Sequence, residues 1–307
     1  MSRSQTSKVS LAVASELEPA RRGAVMSLSK TEFHRISYVE WGPETDARPV
    51  VCVHGLTRQG RDFDFLADRL ARQGRRVVCP DLPGRGHSEW LLDPNEYALP
   101  EYCAAMNALI ARLGVDEVDW VGTSLGGLIG IVLAGMPGSQ IKRLVINDIG
   151  PYVSSVGLGR IGRYLRDMPE TFPSLGEAEV YYREILSPYG DLTDDQWRHI
   201  TVHSVEWDNE LNAFAALCDK NISNAFRTSW FSPLNLWHYW DKISAEILVL
   251  HGEQSDLLTH DLTEEMAARN ANAAIRHFSD CGHVPPLFEP PQTEVVTEFL
   301  GPRQKSA

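Results

Sequence analysis

Short apolar runs alternate with longer amphipathic stretches along most of the chain. Runs of four to seven mostly apolar residues predict strands, and the stretches between them carry the three-to-four-residue spacing of helices. Strands alternating with helices are typical of a mostly parallel sheet that is covered on both faces. Strands are predicted at 35–41, 50–53, 76–79, 119–122, 143–148, 246–250 and 275–278, and helices at 63–73, 100–113, 124–136, 259–269 and 292–300.

This alternation stops between Asp148 and Glu246, where the chain has no convincing buried strand and becomes rich in aromatic residues. We predict a helical unit at 151–241, inserted into an α/β core formed by 31–150 and 242–300. Residues 1–30 and 301–307 lack such patterns and are expected to be a flexible N-terminal extension and a flexible tail. The aromatic residues of the insertion include Trp197, Trp207, Trp230, Trp237, Trp240, Tyr152, Tyr164, Tyr181 and Tyr182.

One serine stands between two glycines at the end of an apolar strand. The run from Trp120 continues as Val-Gly-Thr-Ser-Leu-Gly-Gly and places Ser124 between Gly122 and Gly126. A serine in a sharp strand-to-helix turn needs small residues two positions before and after it, because strand and helix come close there. The pattern predicts a nucleophile elbow, with Ser124 exposed above the sheet.

An acid and a histidine follow this serine in the order that such a site requires. Asp256 lies in a polar loop after the apolar strand 246–250, and His283 lies in a Gly-His turn after the strand 275–278. Asp148, at the end of the strand 143–148, is an alternative acid. We prefer Asp256, which lies in a polar loop directly after an apolar strand.

The chain resembles the α/β-hydrolase superfamily from about Phe33 to about Leu300. The resemblance rests on the sequences His-Gly at 54–55, Asp-Leu-Pro-Gly-Arg-Gly-His-Ser at 81–88, the elbow, the acid-bearing loop and Gly-His at 282–283. It implies the α/β-hydrolase fold, and it makes the insertion a helical cap that roofs the site.

The same resemblance assigns a role to each residue of the site. It implies Ser124 as nucleophile, His283 as general base and acid, and Asp256 as the residue that orients the imidazole. The backbone N–H groups of Leu56 and Leu125 would form the oxyanion hole.

Composition limits the possible partners and compartment. The chain has 307 residues, and its net charge of −12 disfavours nucleic acid and acidic membranes, which attract basic proteins. No apolar run reaches the roughly 18 residues of a membrane span. The five cysteines lack close pairing motifs, so we expect buried free thiols and a cytoplasmic protein.

Some further polar residues could bind ligands, but simpler roles are preferred for them. His199 and His203 have a spacing of four, which suits a metal, yet no further metal motif accompanies them, and exposed histidines are expected. His54, His87 and His251 are expected to be structural. We therefore predict no cofactor and no metal. Five arginines could meet a substrate carboxylate, although solvated positions are the default: Arg58, Arg61, Arg160, Arg163 and Arg166.

A serine at the elbow indicates acyl chemistry, because related enzymes that form an alkyl ester use aspartate there. We predict hydrolysis of a small to medium, largely apolar carboxylic ester or lactone through an acyl-enzyme. Two alternatives remain open: a carbon–carbon bond hydrolase of ring-fission products, and a non-catalytic ligand-binding protein with the same fold. The sequence leaves the substrate's identity and the oligomeric state open.

Overall fold

The computed structural model describes residues 17–226 and 233–301 of the chain. Its strands are β1 (Arg21–Leu28), β2 (Phe33–Trp41), β3 (Val50–Val53), β4 (Val77–Pro80), β5 (Val118–Thr123), β6 (Ile141–Asn147), β7 (Tyr152–Val153), β8 (Thr171–Phe172), β9 (Val205–Asp208), β10 (Ala213–Ala216), β11 (Leu234–Asn235), β12 (Glu246–Gly252) and β13 (Ala273–Phe278). Its helices are α1 (Asp64–Arg72), α2 (Leu99–Leu113), α3 (Leu125–Gly135), α4 (Ser155–Arg166), α5 (Leu175–Ile185), α6 (Asp194–Val202), α7 (Trp237–Trp240), α8 (His260–Arg269) and α9 (Pro290–Leu300).

Eight strands form one sheet in the order β1-β2-β4-β3-β5-β6-β12-β13. Pairing is antiparallel from β1 through β2 to β4 and parallel from β4 to β13. Buried apolar clusters cover both faces of this sheet. The predicted α/β fold is confirmed, and every predicted strand and helix is present with ends shifted by at most two residues.

The first strand corrects the expectation of a flexible segment over residues 1–30. Arg21–Leu28 pairs along its whole length with β2, from Arg21 opposite Glu40 to Leu28 opposite Phe33. Gly23 allows this pairing to be close, since a Cβ atom there would lie 2.4 Å from the Tyr38 ring. The strand was missed because it lies at the edge of the sheet and buries few of its side chains.

The insertion between β6 and β12 is less purely helical than predicted. It contains α4, α5, α6 and α7, together with a three-stranded antiparallel sheet in the order β8-β10-β9 and the short pair β7 and β11. These strands have two to four residues, too short for an alternation of apolar and polar positions to be visible in sequence. We call residues 151–241 the cap. Trp230 of the predicted aromatic set lies outside the described residues.

The aromatic residues of the cap mainly build its own interior. Phe172, Tyr182 and Trp197 are buried in a cluster that also includes Val284 and Phe288 of the core. Trp240 is fully buried against the main core. These contacts attach the cap beside the loop that carries His283.

The cysteines are buried as expected. All five cysteines are free and buried: Cys52, Cys79, Cys103, Cys218 and Cys281. Among the described residues, no helix combines the length and the apolar character needed to cross a membrane.

Candidate active site

Ser124 occupies the strained turn that the sequence predicts. It joins β5 to α3 with φ 49° and ψ −109°, a left-handed conformation that costs energy in a residue with a side chain. A Cβ atom on Gly122 would lie 2.2 Å from the Gly126 carbonyl oxygen, and one on Gly126 would lie 2.0 Å from that of Val53. The two glycines are therefore required by close backbone contacts.

A continuous hydrogen-bonded relay leads from this serine to a buried acid. His283 Nε2 lies 3.1 Å from Ser124 Oγ, and His283 Nδ1 lies 2.8 Å from Asp148 Oδ2. The carboxylate accepts a hydrogen bond from Nδ1–H, so Nε2 carries the lone pair toward the serine hydroxyl. This arrangement can remove the hydroxyl proton during nucleophilic attack.

Asp148 is held by the strand next to its own. It follows β6 directly, and its side chain is fully buried. Its Oδ1 accepts a hydrogen bond from the Gly252 N–H at 2.8 Å, and its own N–H donates to the Leu250 carbonyl at 2.9 Å. Both partners belong to β12, so neighbouring parallel strands fix the carboxylate beside His283.

Asp256 does not pair with His283, which corrects the preference derived from the sequence. Its carboxylate receives a hydrogen bond from Arg160 of α4 at 2.8 Å, and a second nitrogen of the same guanidinium also contacts it. The Asp256 side chain is 51% exposed, whereas that of Asp148 is buried. Asp256, in the loop after β12, therefore contacts the cap. Asp148, at the end of β6, is the acid that contacts the imidazole.

Asn147 joins the elbow to the loop of His283, a role that the sequence did not reveal. Its side-chain amide donates to Thr123 Oγ1 at 3.1 Å and to the Pro285 carbonyl at 2.8 Å. The residues before Ser124 and after His283 are thereby tied to one amide group. An asparagine ending a buried strand beside Asp148 was the only signal available.

The turn after β3 faces the same cavity as the serine. Leu56 and Leu125 both line this cavity with Ser124. Leu125 begins α3, so its N–H belongs to the first turn, where helical N–H groups have no partner within the helix. The N–H groups of Leu56 and Leu125 remain the predicted oxyanion donors.

Arg85 holds this turn in place, a second role that the sequence did not reveal. It is completely buried, its Nε donates to the Leu56 carbonyl at 2.8 Å, and its guanidinium lies over the Tyr97 and Tyr102 rings. A further nitrogen donates to the Pro83 carbonyl. These bonds fix the orientation of the peptide group that follows Leu56.

The turn also contacts the cap at two points. Arg58 donates to Ser204 Oγ at 2.9 Å, and Thr57 Oγ1 lies 3.4 Å from the Tyr164 hydroxyl. Arg58 is otherwise held by both carboxylate oxygens of Asp62, at 2.8 and 2.7 Å. Its charge is therefore compensated within the turn.

His54 has the structural role that was predicted for it. The Leu82 N–H donates to Nε2 at 2.9 Å, so Nδ1 carries the proton and donates to the Gly55 carbonyl at 2.7 Å. Burial lowers the pKa of His54 to about 3, which keeps the ring neutral. The ring therefore joins two loops and is not placed to transfer a proton.

A cavity of about 400 Å³ lies between the cap and the relay. Its size falls within the usual range of small-molecule sites, roughly 300–1,000 Å³. Ser124 and His283 line it, together with the charged residues Arg58, Arg160 and Asp256. The remaining wall is largely apolar: Leu128, Ile149, Val153, Leu158, Ile161, Ile185, Leu186 and Leu257.

His199 and His203 lie with Asp64 in a separate cluster whose ligand atoms are within 4.8 Å of one another. His199 is buried and His203 is half-buried, which corrects the expectation that both are exposed. Burial lowers the pKa of His203 to about 2, so its ring is neutral. Arg61 donates to the Asp64 carboxylate at 2.6 Å, and this cation opposes the binding of a metal ion at the same group.

Comparison with known proteins relates most of the chain to hydrolases. Residues 50–298 match the Alpha/beta hydrolase family. A 3-hydroxybutyrate-oligomer hydrolase of Cupriavidus necator is 40% identical over 288 residues, which are 91% of this chain and 97% of that protein.

Two further relatives agree with this comparison. An esterase of Mycobacterium tuberculosis is 30% identical over 252 residues, covering 80% of this chain and 79% of the esterase. The crystal structure of a putative hydrolase from Rickettsia typhi superposes with a TM-score of 0.84 at 28% identity, covering 91% of this chain and 98% of that one.

Proposed function

Because the chain belongs to the alpha/beta hydrolase family, we propose that it is a serine hydrolase that cleaves carboxylic esters through an acyl-enzyme. The relay from Ser124 through His283 to Asp148 carries this proposal. It supplies a nucleophile, a base within hydrogen-bond reach and a buried group that orients the base.

Acylation begins with the attack of Ser124 Oγ on the ester carbonyl carbon while His283 Nε2 takes the hydroxyl proton. The carbonyl oxygen becomes an oxyanion in the tetrahedral intermediate. As the intermediate collapses, the bond to the alcohol oxygen breaks, and His283 returns the proton to that oxygen. The alcohol leaves, and the acyl group remains on Ser124.

Deacylation repeats these steps with water. His283 takes a proton from a water molecule, whose oxygen attacks the acyl carbon. The second intermediate collapses with transfer of the proton to Ser124 Oγ, which frees the carboxylic acid. Ester and water are thereby converted into acid and alcohol, and no cofactor takes part.

Asp148 supports both half-reactions through its position. Its carboxylate holds His283 in the tautomer with the lone pair on Nε2 and stabilises the imidazolium that forms in each step. The Gly252 N–H bonded to its other oxygen prevents rotation of the carboxylate. We assign the role of triad acid to Asp148 and not to Asp256.

The oxyanion would be bound by the N–H groups of Leu125 and Leu56, each lowering the barrier by about 3 kcal/mol. The hydrogen bond from Arg85 to the Leu56 carbonyl limits movement of the turn that carries one of these donors. Donors fixed in advance stabilise developing charge more than donors that must reorient.

Short esters of 3-hydroxy acids are the substrate class that we propose. The relative with 40% identity is named for 3-hydroxybutyrate oligomers, which are chains of small hydroxy acids joined by ester bonds. The largely apolar cavity of about 400 Å³ is suited to a few such units, because each carries a methyl branch and one ester group.

Steady-state hydrolysis tests the proposal. Purified protein and its Ser124→Ala variant would be compared on p-nitrophenyl butyrate and on the methyl ester of the linear 3-hydroxybutyrate dimer, with thermal unfolding as a check on folding. We expect repeated turnover of both esters by the wild type, and a loss of at least about 10³-fold in the variant.

Equal rates in the two proteins would contradict a Ser124 acyl-enzyme. Tight retention of the ester without turnover would favour the ligand-binding alternative, and inactivity on both esters would refute ester hydrolysis.

A further inference from the structure

An ion pair joins the cap to the core at the wall of the substrate cavity. Arg160, on α4 of the cap, donates to Asp256, in the loop after β12. Both residues line the cavity that contains Ser124 and His283, yet their side chains are 49% and 51% exposed. The pair therefore lies where the cavity meets solvent.

The two arginines that line the cavity differ in availability. Arg58 is buried, and its nitrogens are bonded to Asp62 and Ser204. Arg160 is bonded to a single, half-exposed carboxylate, and the described contacts give it no other partner. An exposed ion pair is strongly screened by solvent and contributes little to stability, so another carboxylate can replace Asp256 at little cost.

The chemistry of the substrate supplies such a carboxylate. A linear oligomer of a hydroxy acid has a hydroxyl group at one end, a carboxylate at the other and neutral ester groups between them. Most of the cavity wall is apolar and suits the neutral units. The free carboxylate is the one charged group that would need a partner when the oligomer enters.

We infer that Arg160 binds the terminal carboxylate of an oligomeric ester substrate, and that Asp256 occupies the same guanidinium until the substrate displaces it. This inference rests on the proposed ester hydrolysis. The guanidinium can bind a carboxylate through two parallel N–H groups, and two of its nitrogens already contact the two carboxylate oxygens of Asp256.

The direction of the bound oligomer follows from this contact. The terminal carboxylate belongs to the alcohol side of every ester bond in the chain. With the carboxylate at Arg160, the fragment that leaves on acylation retains the carboxylate, and the hydroxyl-terminal fragment stays on Ser124. Arg160 is thus a residue for specificity and substrate orientation.

Opposite effects are expected for the two members of the pair. Loss of Arg160 removes the partner of the substrate carboxylate, whereas loss of the Asp256 charge removes its competitor. A substrate without the carboxylate should respond to neither change. A purely structural ion pair would instead affect charged and uncharged substrates alike.

The test compares the linear 3-hydroxybutyrate dimer and trimer, as free acids, with their methyl esters. Wild type, Arg160→Gln and Asp256→Asn would be assayed with Arg163→Gln, an exposed arginine of the same helix that does not line the cavity. Both kcat and KM would be measured at low and high salt, and thermal unfolding would verify folding.

We expect the wild type to prefer the free acids, and Arg160→Gln to lower kcat/KM for the acids about tenfold, mainly through KM. Asp256→Asn should raise kcat/KM for the acids about threefold, because an exposed pair competes only weakly. High salt should reduce the preference, and the methyl esters and Arg163→Gln should show no change.

An equal loss on acids and methyl esters in Arg160→Gln, or a wild type indifferent to the carboxylate, would overturn the inference while leaving ester hydrolysis intact. If Ser124-dependent turnover of the methyl esters is absent as well, the proposed function fails, and the inference fails with it.

Discussion

Two aspartates follow neighbouring parallel strands of the same sheet, but their surroundings differ completely. Asp148, after β6, is fully buried and bonded to His283 and to the Gly252 N–H. Asp256, after β12, is half exposed and bonded to a cap arginine. The comparison shows that an acid at the correct edge of the sheet is not sufficient, because the path of the loop decides which group it meets.

The two carboxylates differ in burial and therefore in how strongly they interact with nearby charges. A charge interaction is weakly screened in the interior and strongly screened in water. At Asp148 the cost of burying the charge is offset by the imidazole and by a backbone N–H. At Asp256 the solvent stabilises most of the carboxylate charge, so this residue can exchange one partner for another. For the same reason it would stabilise an imidazolium poorly.

Replacing the carboxylate by an amide should separate Asp148 from Asp256 most clearly, because the loss of activity should be large only at Asp148. Asp148→Asn can still accept the Gly252 N–H, but its NH₂ group would face His283 Nδ1 and favour the wrong tautomer. We expect kcat on p-nitrophenyl butyrate to fall about 10³- to 10⁴-fold.

The matched control is Asp256→Asn, for which we expect a change of less than about twofold on this uncharged ester. A large loss in Asp256→Asn with near-normal activity in Asp148→Asn would return the triad acid to Asp256.

Adding a side chain at Gly252, in the strand that supports Asp148, should have the next largest effect on stability and activity. A Cβ atom at Gly252 would lie 2.2 Å from the Gly282 carbonyl oxygen, next to His283. Gly252→Ala should therefore lower the free energy of unfolding by about 3 kcal/mol and reduce kcat, since the backbone has to move.

Gly176→Ala on α5 is the control for this experiment. Its added Cβ atom would meet only Ser174 Oγ at 3.9 Å, so helix propensity should leave stability equal or slightly higher. Equal unfolding midpoints for the two variants would argue against a close contact at Gly252.

Removal of the buried carboxylate altogether measures its structural contribution. Asp148→Ala leaves the Gly252 N–H without its partner, which we expect to cost about 2 kcal/mol of unfolding free energy. Denaturant titration would measure this cost, and Asp148→Asn should recover most of it through its remaining acceptor oxygen. No recovery would mean that the charge, and not the hydrogen bond, stabilises this region.

The smallest change in unfolding free energy is expected at the exposed Asp256. Asp256→Ala removes one half-exposed ion pair, so the free energy of unfolding should change by less than about 0.5 kcal/mol. A loss comparable to that of Asp148→Ala, measured by the same titration, would show that the two loops are structurally equivalent.

The sequence predicted those features that depend on local rules. Parallel strands such as β3 and β12 contain uninterrupted apolar runs of four residues, and the glycines around Ser124 reflect a turn that only small residues permit. His283 was found because a nucleophilic serine needs a base later in the chain. These signals are each contained within a few consecutive residues.

The missed features depend on contacts between distant segments. Asp148 and Asp256 both follow apolar strands, and only the three-dimensional path of each loop separates them. Arg85 lies 29 residues from the Leu56 carbonyl that it binds, and Asn147 lies 138 residues from Pro285. The edge strand β1 was missed because its pairing partner, and not its own pattern, determines its structure.

The two bonds that connect the turn of Leu56 to the cap have a consequence for protein engineering. Thr57 meets Tyr164 and Arg58 meets Ser204, so the turn is shared between core and cap. Transplanting a cap from another hydrolase to alter substrate range would also remove these two anchors. A chimera should therefore retain tyrosine and serine at the equivalent positions, or its selectivity and its catalytic rate will change together.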